Sequence, residues 1–356
     1  MRIGFFGAWQ EGYPRNRILR SGLLAAGAEV VDVRVHERRV LFRYPQLLAA
    51  FGRTPRLDAV FVPAFRHKDV PLARWLAGGL PVVFDPFVSR WDTLVEDWAM
   101  HARGSLQAKW NRRIDRMSLR LADAVLCDTW SHGRLFMDLG AKPERLHRVA
   151  VGAEQRFFDL SGPPAAEPVE LLYVGGFLPL HGVPVLIEAL ERLQQESSSL
   201  PAYRVRLVGR GIQFDVARQQ AERRGLRHAV FEGPRPYDEL PAVLASTHIV
   251  LGAFGASAKA GRVVPHKVWQ GLASGRAVVS GDGDGIREWF ENGIHLLTVP
   301  RDDARALAAG LARLLRDGRL RQALGSAGRA RALELGTPAR LGRELLDVFE
   351  QVARFA

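Results

Sequence analysis

Short apolar runs alternate with amphipathic stretches along the whole chain, and the alternation occurs twice. In the first half Arg2–Phe6, Ala28–Val35, Ala59–Val62, Pro81–Asp85 and Ala124–Asp128 read as buried strands, being short, rich in Val, Ile and Phe, and bounded by polar or turn residues. Between them, Asn16–Ala26 and Lys109–Leu121 carry apolar residues at helical spacing. The second half repeats the plan. Glu170–Val174, Tyr203–Val208, His228–Phe231, Ile249–Gly252 and Ala277–Ser280 predict strands, and Val183–Gln195, Ile212–Arg224, Tyr237–Ala245 and Lys267–Ala273 predict helices. Strands separated by helices give parallel sheets, so the pattern predicts two doubly wound α/β domains. Their boundary is expected in Ser161–Pro168, where Pro, Gly and Ala replace apolar periodicity. Two long helices, Asp303–Arg316 and Leu320–Leu333, precede Gly336-Thr-Pro, and a last one covers Ala339–Phe355 with an apolar stripe of Leu341, Leu345, Leu346, Phe349 and Val352.

Composition agrees with two globular domains. A chain of 356 residues exceeds what one core normally holds. The single Cys, Cys127, allows no disulfide framework and sits in an apolar run, where packing explains it better than nucleophilic chemistry. No apolar run reaches the ~18 residues of a spanning helix, and Met1–Gly7 enters a strand at once, leaving no room for a signal peptide. A cytoplasmic location is expected. The formal charge of +12, from 50 Lys and Arg against 38 Asp and Glu, favours anionic partners, although an Arg-rich coding bias gives the same number. Zinc-finger spacing and the aromatic signature of RNA-binding sheets are missing, so no specific nucleic-acid partner is expected.

Two cassettes carry the chemistry. In Ala253–Val279 a small-residue loop with Lys259 and Arg262 leads into Pro265-x-Lys267-x-x-Gln270 and then a buried strand. Helix-start N–H groups with two cations beside them suit a diphosphate, although Pro265 opening a helix with Lys267 solvated on its first turn is the plainer reading. In Leu171–Leu190 an apolar strand ends in Gly175-Gly176, a tight loop carries His181-Gly182, and an amphipathic helix follows. Together these segments resemble the donor-binding region of family 4 glycosyltransferases with two Rossmann-like domains, the GT-B architecture. The resemblance implies two doubly wound Rossmann-like domains facing a cleft: residues 1–162 on the acceptor side, residues 163–336 binding a nucleotide sugar, and residues 337–356 as a helix crossing back to the first domain. It implies transfer of a sugar from a nucleoside diphosphate to an acceptor hydroxyl, with retained configuration and without metal or other cofactor. A sugar-nucleotide epimerase of the same fold and an inactive nucleotide-sugar-binding protein are the alternatives.

The match is imperfect where charge matters. Gly176 stands where the family's Arg would be and His181 where its Lys would be, while Arg262 and Gln270 hold the places of its paired glutamates. His181, ordinarily near ~6.5, would be partly charged at neutral pH. Arg210, Lys259, Arg262 and Lys267 are expected to supply the missing charge, with Arg262 and Lys267 stabilising the departing phosphate. The Gln270 amide would bond ribose more weakly than a carboxylate. Gly233 and Arg235 lie where the family borders its nucleobase, or in a simple turn, and Gly281–Gly285 reads as a structural turn. In the first domain Gly12 would allow close donor approach, with Arg15 and Arg17 adding charge and Asn16 capping a helix. Asp85 is the candidate for acceptor binding or general base, His67 an exposed loop rival, and His132 is given no role. Finally, Arg34–Arg53 and Lys109–Arg116 mix cations with Leu41, Phe42, Leu47, Leu48, Phe51 and Trp110. Such segments suit an anionic membrane and a lipid-linked acceptor, unless the apolar residues face the core.

Overall fold

The computed structural model describes residues 1–354 except Ser161, Pro163, Ala165 and Ala166, so part of the expected linker lies outside the described residues. The chain divides into two compact units, Met1–Gly152 with Leu335–Ala356, and Ala153–Glu334. The division falls at Gly152, before the Pro-rich stretch. Phe157 is buried and faces Tyr237 with ring centroids 6.0 Å apart, and Arg329 donates to the Phe158 and Leu160 carbonyls, tying this segment to the second unit.

The first unit is built on strands β1 (Arg2–Gly7), β2 (Glu29–Arg34), β3 (Ala59–Val62), β4 (Val82–Phe84), β5 (Ala124–Cys127) and β6 (Leu146–Arg148), all parallel, in the order β2-β1-β3-β4-β5-β6. Its helices are α1 (Pro14–Ala25), α2 (Val40–Phe51), α3 (Val70–Ala77), α4 (Leu106–Leu121) and α5 (Trp130–Leu139). The central strands read as continuous apolar runs because helices cover both sheet faces. Phe6, Val60, Val62, Phe84 and Val125 are fully buried in one core, and Cys127 packs with them.

The second unit holds β7 (Val169–Gly176), β8 (Tyr203–Arg210), β9 (Ala229–Glu232), β10 (Ile249–Leu251), β11 (Ala277–Gly281) and β12 (Leu297–Val299), in the parallel order β12-β11-β10-β7-β8-β9. Its helices are α6 (Gln155–Phe158), α7 (Val183–Gln195), α8 (Phe214–Arg223), α9 (Leu240–Ala245), α10 (Ala258–Arg262), α11 (His266–Ala273), α12 (Asp284–Arg287), α13 (Ala304–Arg316) and α14, which starts at Gly318 and ends at Leu335. A core of Leu171, Leu186, Leu207, Leu251, Val279, Leu307 and Leu311 fills it.

The last helix, α15 (Pro338–Ala353), returns to the first unit and packs on α1. Leu341, Leu345 and Phe349 are buried, and Phe349 meets Phe61 at 6.2 Å. The two helices cross at a pair of glycines: a Cβ on Gly342 would stand 1.9 Å from the Gly22 carbonyl oxygen. Among the described residues no helix is long and apolar enough to cross a membrane.

Candidate functional site

Each sheet reverses its winding at one point, between β1 and β3 in the first unit and between β7 and β10 in the second. Open parallel sheets take ligands at such switch points, outside the carboxyl ends of the strands. In the second unit this place is built from the expected cassettes. β7 and β8 run on through Gly175-Gly176 and Gly209-Arg210, so these glycines end paired strands instead of opening a loop. The pairing demands glycine, since Gly175 and Gly209 have φ of 132° and 138° and a Cβ on Gly209 would meet the Gly175 carbonyl oxygen at 2.0 Å. Beyond them the loop after β7 bonds to the loop after β10, through Phe254 N to His181 O at 3.0 Å and Gly255 N to Leu180 O at 3.1 Å.

Against this frame lies Lys267, on the first turn of α11 and only 4% exposed. Its Nζ stands 3.7 Å from the Tyr173 ring centroid and has no hydrogen-bond partner. A Cβ on Gly175 would be 3.5 Å from Lys267 Cε, so the missing side chain leaves the amine its place beside the strand end. Burial drives the Lys267 amine well below its ordinary value and the Tyr173 hydroxyl well above its own. A buried amine without a partner is costly in the free protein.

His181 sits in the same cluster as a neutral ring. Burial first, then the charge of Lys267, and also that of Lys259, hold its pKa well below 6.5, so the expected partial charge at neutral pH is not carried here. Nδ1 lies against the Gly176 carbonyl, which can only accept, and 2.9 Å from the Tyr173 hydroxyl. Nδ1 therefore carries the proton, and the Tyr173 hydroxyl donates to Gly176 O at 2.5 Å. Lys259 is buried on α10, whose N-cap Ser257 accepts from Ala260 N; the expected open loop contains this helical turn. Arg262 ends α10 half-buried; Gly283 presses against the Gly261 backbone and Gly285 against that of Arg262, which gives the Gly281–Gly285 segment its structural part.

The structure thus gathers Gly175, Gly176, His181, Lys259 and Lys267, with the backbone of Arg210 paired beside Gly176. The Arg210 side chain is exposed and lies over Phe214. Gln270, one turn along α11, is buried and donates to the Tyr237 hydroxyl at 3.0 Å, so its amide N–H is engaged within the protein. Arg235 is tied to Glu232 at 3.1 Å, and Gly233 has open space where a Cβ would stand. Tyr173, absent from the sequence candidates, was hidden as one more strand residue; a lone Tyr in an aliphatic strand ending in two glycines was the available signal.

In the first unit the expected residues are otherwise employed. Asp85 is buried against Arg15, with Nε to Oδ2 at 2.8 Å, and Arg15 also donates to the Val149 and Ala150 carbonyls. Burial raises the Asp85 pKa against the pull of Arg15. Neither side chain is free to meet a ligand, and the pair fastens the strand ends. Asn16 lies inside α1, bonding Gln10 O and Ala64 N, while Tyr13 holds the N-cap position. Gly12 is on an exposed turn with open space around it. His67 is buried, not exposed, and burial followed by Arg90 lowers its pKa to about 3. Thr129 caps α5, and His132 Nδ1 contacts Asp128 at 2.7 Å. Among the described residues no three His, Cys, Asp or Glu side chains gather as a metal site.

Comparison with known proteins places this geometry. Residues 168–317, most of the second unit, match the family model for Glycosyl transferases group 1. A putative colanic acid biosynthesis glycosyltransferase, WcaL of Salmonella typhimurium, is 29% identical over 194 residues, which are 54% of this chain and 47% of WcaL. The chain therefore spans about half the length of that relative. An MMP alpha-(1->4)-mannosyltransferase of Mycolicibacterium hassiacum is 26% identical over 98% of this chain and 78% of its own. Among solved structures, HepE of Anabaena in complex with UDP and glucose superposes with a TM-score of 0.73 at 15% identity, covering 99% of this chain and all of HepE. The fold is accordingly the two-Rossmann-domain architecture of that protein.

Proposed function

We propose that this chain, which belongs to the glycosyltransferases through its group 1 second unit and its GT-B fold, transfers a sugar from a nucleoside diphosphate to an acceptor hydroxyl. One observation carries the reading. Lys267 is a buried amine with no partner, at the switch point of the unit that matches the family. A diphosphate would give it the counter-charge it lacks, next to the N–H groups that open α11. Lys259 and Arg262 on α10 are the further cations proposed for the donor, with Gly175, Gly176 and the Arg210 loop framing it. HepE has been solved with UDP and with UDP-glucose, which makes uridine the first nucleoside to test.

In the proposed reaction the bond between the anomeric carbon and the β-phosphate oxygen breaks, the acceptor hydroxyl oxygen bonds to that carbon, and negative charge collects on the leaving oxygen, which takes up the hydroxyl proton. Lys267 and Arg262 stabilise it, and a preorganised donor of this kind contributes on the order of a hundredfold in rate. Neutral His181 holds the Gly176 carbonyl and fixes the strand end in place. Retention of configuration, and a leaving group handled by these cations without metal, complete the proposal. A thermal-shift panel of UDP, GDP, ADP and CDP tests it, since a ligand that binds only the native state raises Tm by mass action. One nucleoside diphosphate should shift Tm selectively and do so less in Lys267→Met. If no member of the panel shifts Tm, the reading fails.

The acceptor is proposed to be delivered at an anionic membrane. α2 leaves Leu41 78% exposed with Phe42 and Leu48 half out, while Leu47 is in the core; α4 leaves Leu106 80% exposed beside Trp110, Lys109, Arg112 and Arg113. Pelleting with anionic but not neutral vesicles, lost in Leu106→Ser with Trp110→Ser, is expected. No pelleting at low salt refutes this part.

A further inference from the structure

The carboxyl ends of β1, β2 and β3 enclose a cavity of about 450 Å³ that the donor assignment does not use. It opens at the switch point of the first sheet, between β1 and β3. Its walls carry more positive charge than the protein neutralises. Arg34 pairs with Glu11 at 2.9 Å and Arg43 with Asp69 at 2.6 Å, which uses both carboxylates of the lining. Arg38, Arg66, Lys68 and Arg90 remain. Arg66 donates to the Ala8 carbonyl at 2.7 Å, and Arg90 to the Asn111 amide oxygen at 2.9 Å, both uncharged acceptors. Asp115, which accepts the Arg90 backbone N–H, is the counter-charge that Arg90 feels. Arg38 and Lys68 make no side-chain ion pair among the described residues.

These cations strain one another. Burial, and after it Arg43, Arg90 and Arg38, lower the Arg66 pKa against the pull of Asp69; burial, Arg90 and Arg43 lower that of Lys68. The backbone tells the same story independently. Phe65, which lines the cavity, and Phe87, three residues beyond β4, have φ of 67° and 60°, a left-handed conformation that bulky residues adopt rarely and at a cost. Tyr13 holds both rings edge to face, at 4.8 and 5.7 Å. Strain of this sort gathers where loops are shaped for a ligand.

We infer that this cavity binds a molecule bearing a phosphomonoester, the anionic group of the sugar acceptor. Several uncompensated cations around one hollow call for more than a single charge, and a phosphomonoester carries about −1.5 to −2 at neutral pH with three acceptor oxygens. Planar guanidiniums at Arg66 and Arg90 suit its oxygens, and Lys68 adds a point charge. The acceptor role rests on the transferase reading, whereas the binding of the anion does not.

The ester can belong to a soluble molecule or to a lipid headgroup, and two probes separate them. Titration calorimetry of the full chain with glycerol 3-phosphate, with glycerol as neutral control, reads the soluble form; sedimentation with phosphatidylcholine vesicles containing phosphatidic acid reads the lipid form. Binding of either probe is expected to weaken about tenfold or more in Lys68→Gln and in Arg66→Gln. Lys68 makes no side-chain bond, so Lys68→Gln should keep the wild-type Tm even if Arg66→Gln does not. Binding of the soluble ester assigns a soluble acceptor, and binding of vesicles alone assigns a lipid one. If neither probe binds in a way that depends on Lys68 or Arg66, the inference is overturned. UDP titrated in parallel separates the two failures: UDP binding with no ester binding removes only this site, and ester binding without any nucleotide binding removes the donor reading instead.

Discussion

Lys267→Met should make the free protein more stable and the liganded protein weaker. The buried amine lacks a partner, and an unsatisfied polar group of this kind costs about 1–3 kcal/mol. Its contact with the Tyr173 ring returns about 0.5–2 kcal/mol, and a methionine sulfur on the same ring returns about 0.3–1.5 kcal/mol. The net gain on substitution is about 1 kcal/mol, or roughly 2–4 °C in Tm for a unit of this size. The gain depends on pH in a definite direction. With the folded amine held well below 10.5, the unfolded chain binds the extra proton between that lowered value and 10.5, so wild-type stability rises with pH across this window. The methionine variant lacks the rise, and its advantage should shrink as pH climbs from 7 toward 10. Nucleoside diphosphate binding should fall ten- to a hundredfold, as expected for about 1.5–3 kcal/mol from a charged hydrogen bond. A variant that is less stable than wild type at pH 7 and binds nucleotide equally well would refute the reasoning.

His67, neutral and with a pKa near 3, contributes stability that is complete above about 6.5 and lost as pH falls toward 3, by up to about 1.4 kcal/mol per unit; urea unfolding at pH 4 to 7 should show a shallower slope in His67→Phe, and parallel slopes would count against it. Asp85→Asn leaves Arg15 buried without its charge partner and should cost about 3–5 kcal/mol in denaturant unfolding, whereas a carboxylate serving only as a base would leave stability unchanged. Donor affinity should show no step near pH 6.5 attributable to His181, because that ring is already neutral; a step abolished by His181→Gln would contradict the assignment. Gly342→Ala should destabilise by about 1–3 kcal/mol or more through its clash with Gly22, while Gly12→Ala, with open space around it, should be nearly neutral by the same measurement.

The strands were legible because a parallel sheet covered on both faces leaves unbroken apolar runs, as in Ala59–Val62 and Ile249–Leu251. The three-residue strands at Leu146 and Leu297 were too short to stand out, and α2 was masked by Pro45 and its basic, aromatic composition. The segment proposed for the donor was legible as order along the chain, because its loop-helix-strand succession is local. What local order cannot carry is the partner of a side chain. Asp85 looked like a free carboxylate because Arg15 lies 70 residues away, and His67 looked exposed because the turn after β3 folds it beneath Phe84. Lys267 was placed by motif, but its burial against Tyr173 belongs to tertiary packing between β7 and α11.

The return of α15 to α1 makes the first unit discontinuous along the polypeptide, with residues 153–334 standing between its two parts. During vectorial synthesis all six strands of the outer unit emerge first, yet the inner unit is the first to be complete, because the outer one still lacks α15. The outer sheet must wait on the ribosome with the α1 groove around Gly22 uncovered until Leu341, Leu345 and Phe349 emerge. Premature termination anywhere after Glu334 would thus spare the inner unit and strand the other, so truncated products should be proteolysed from the amino-terminal side of the molecule first.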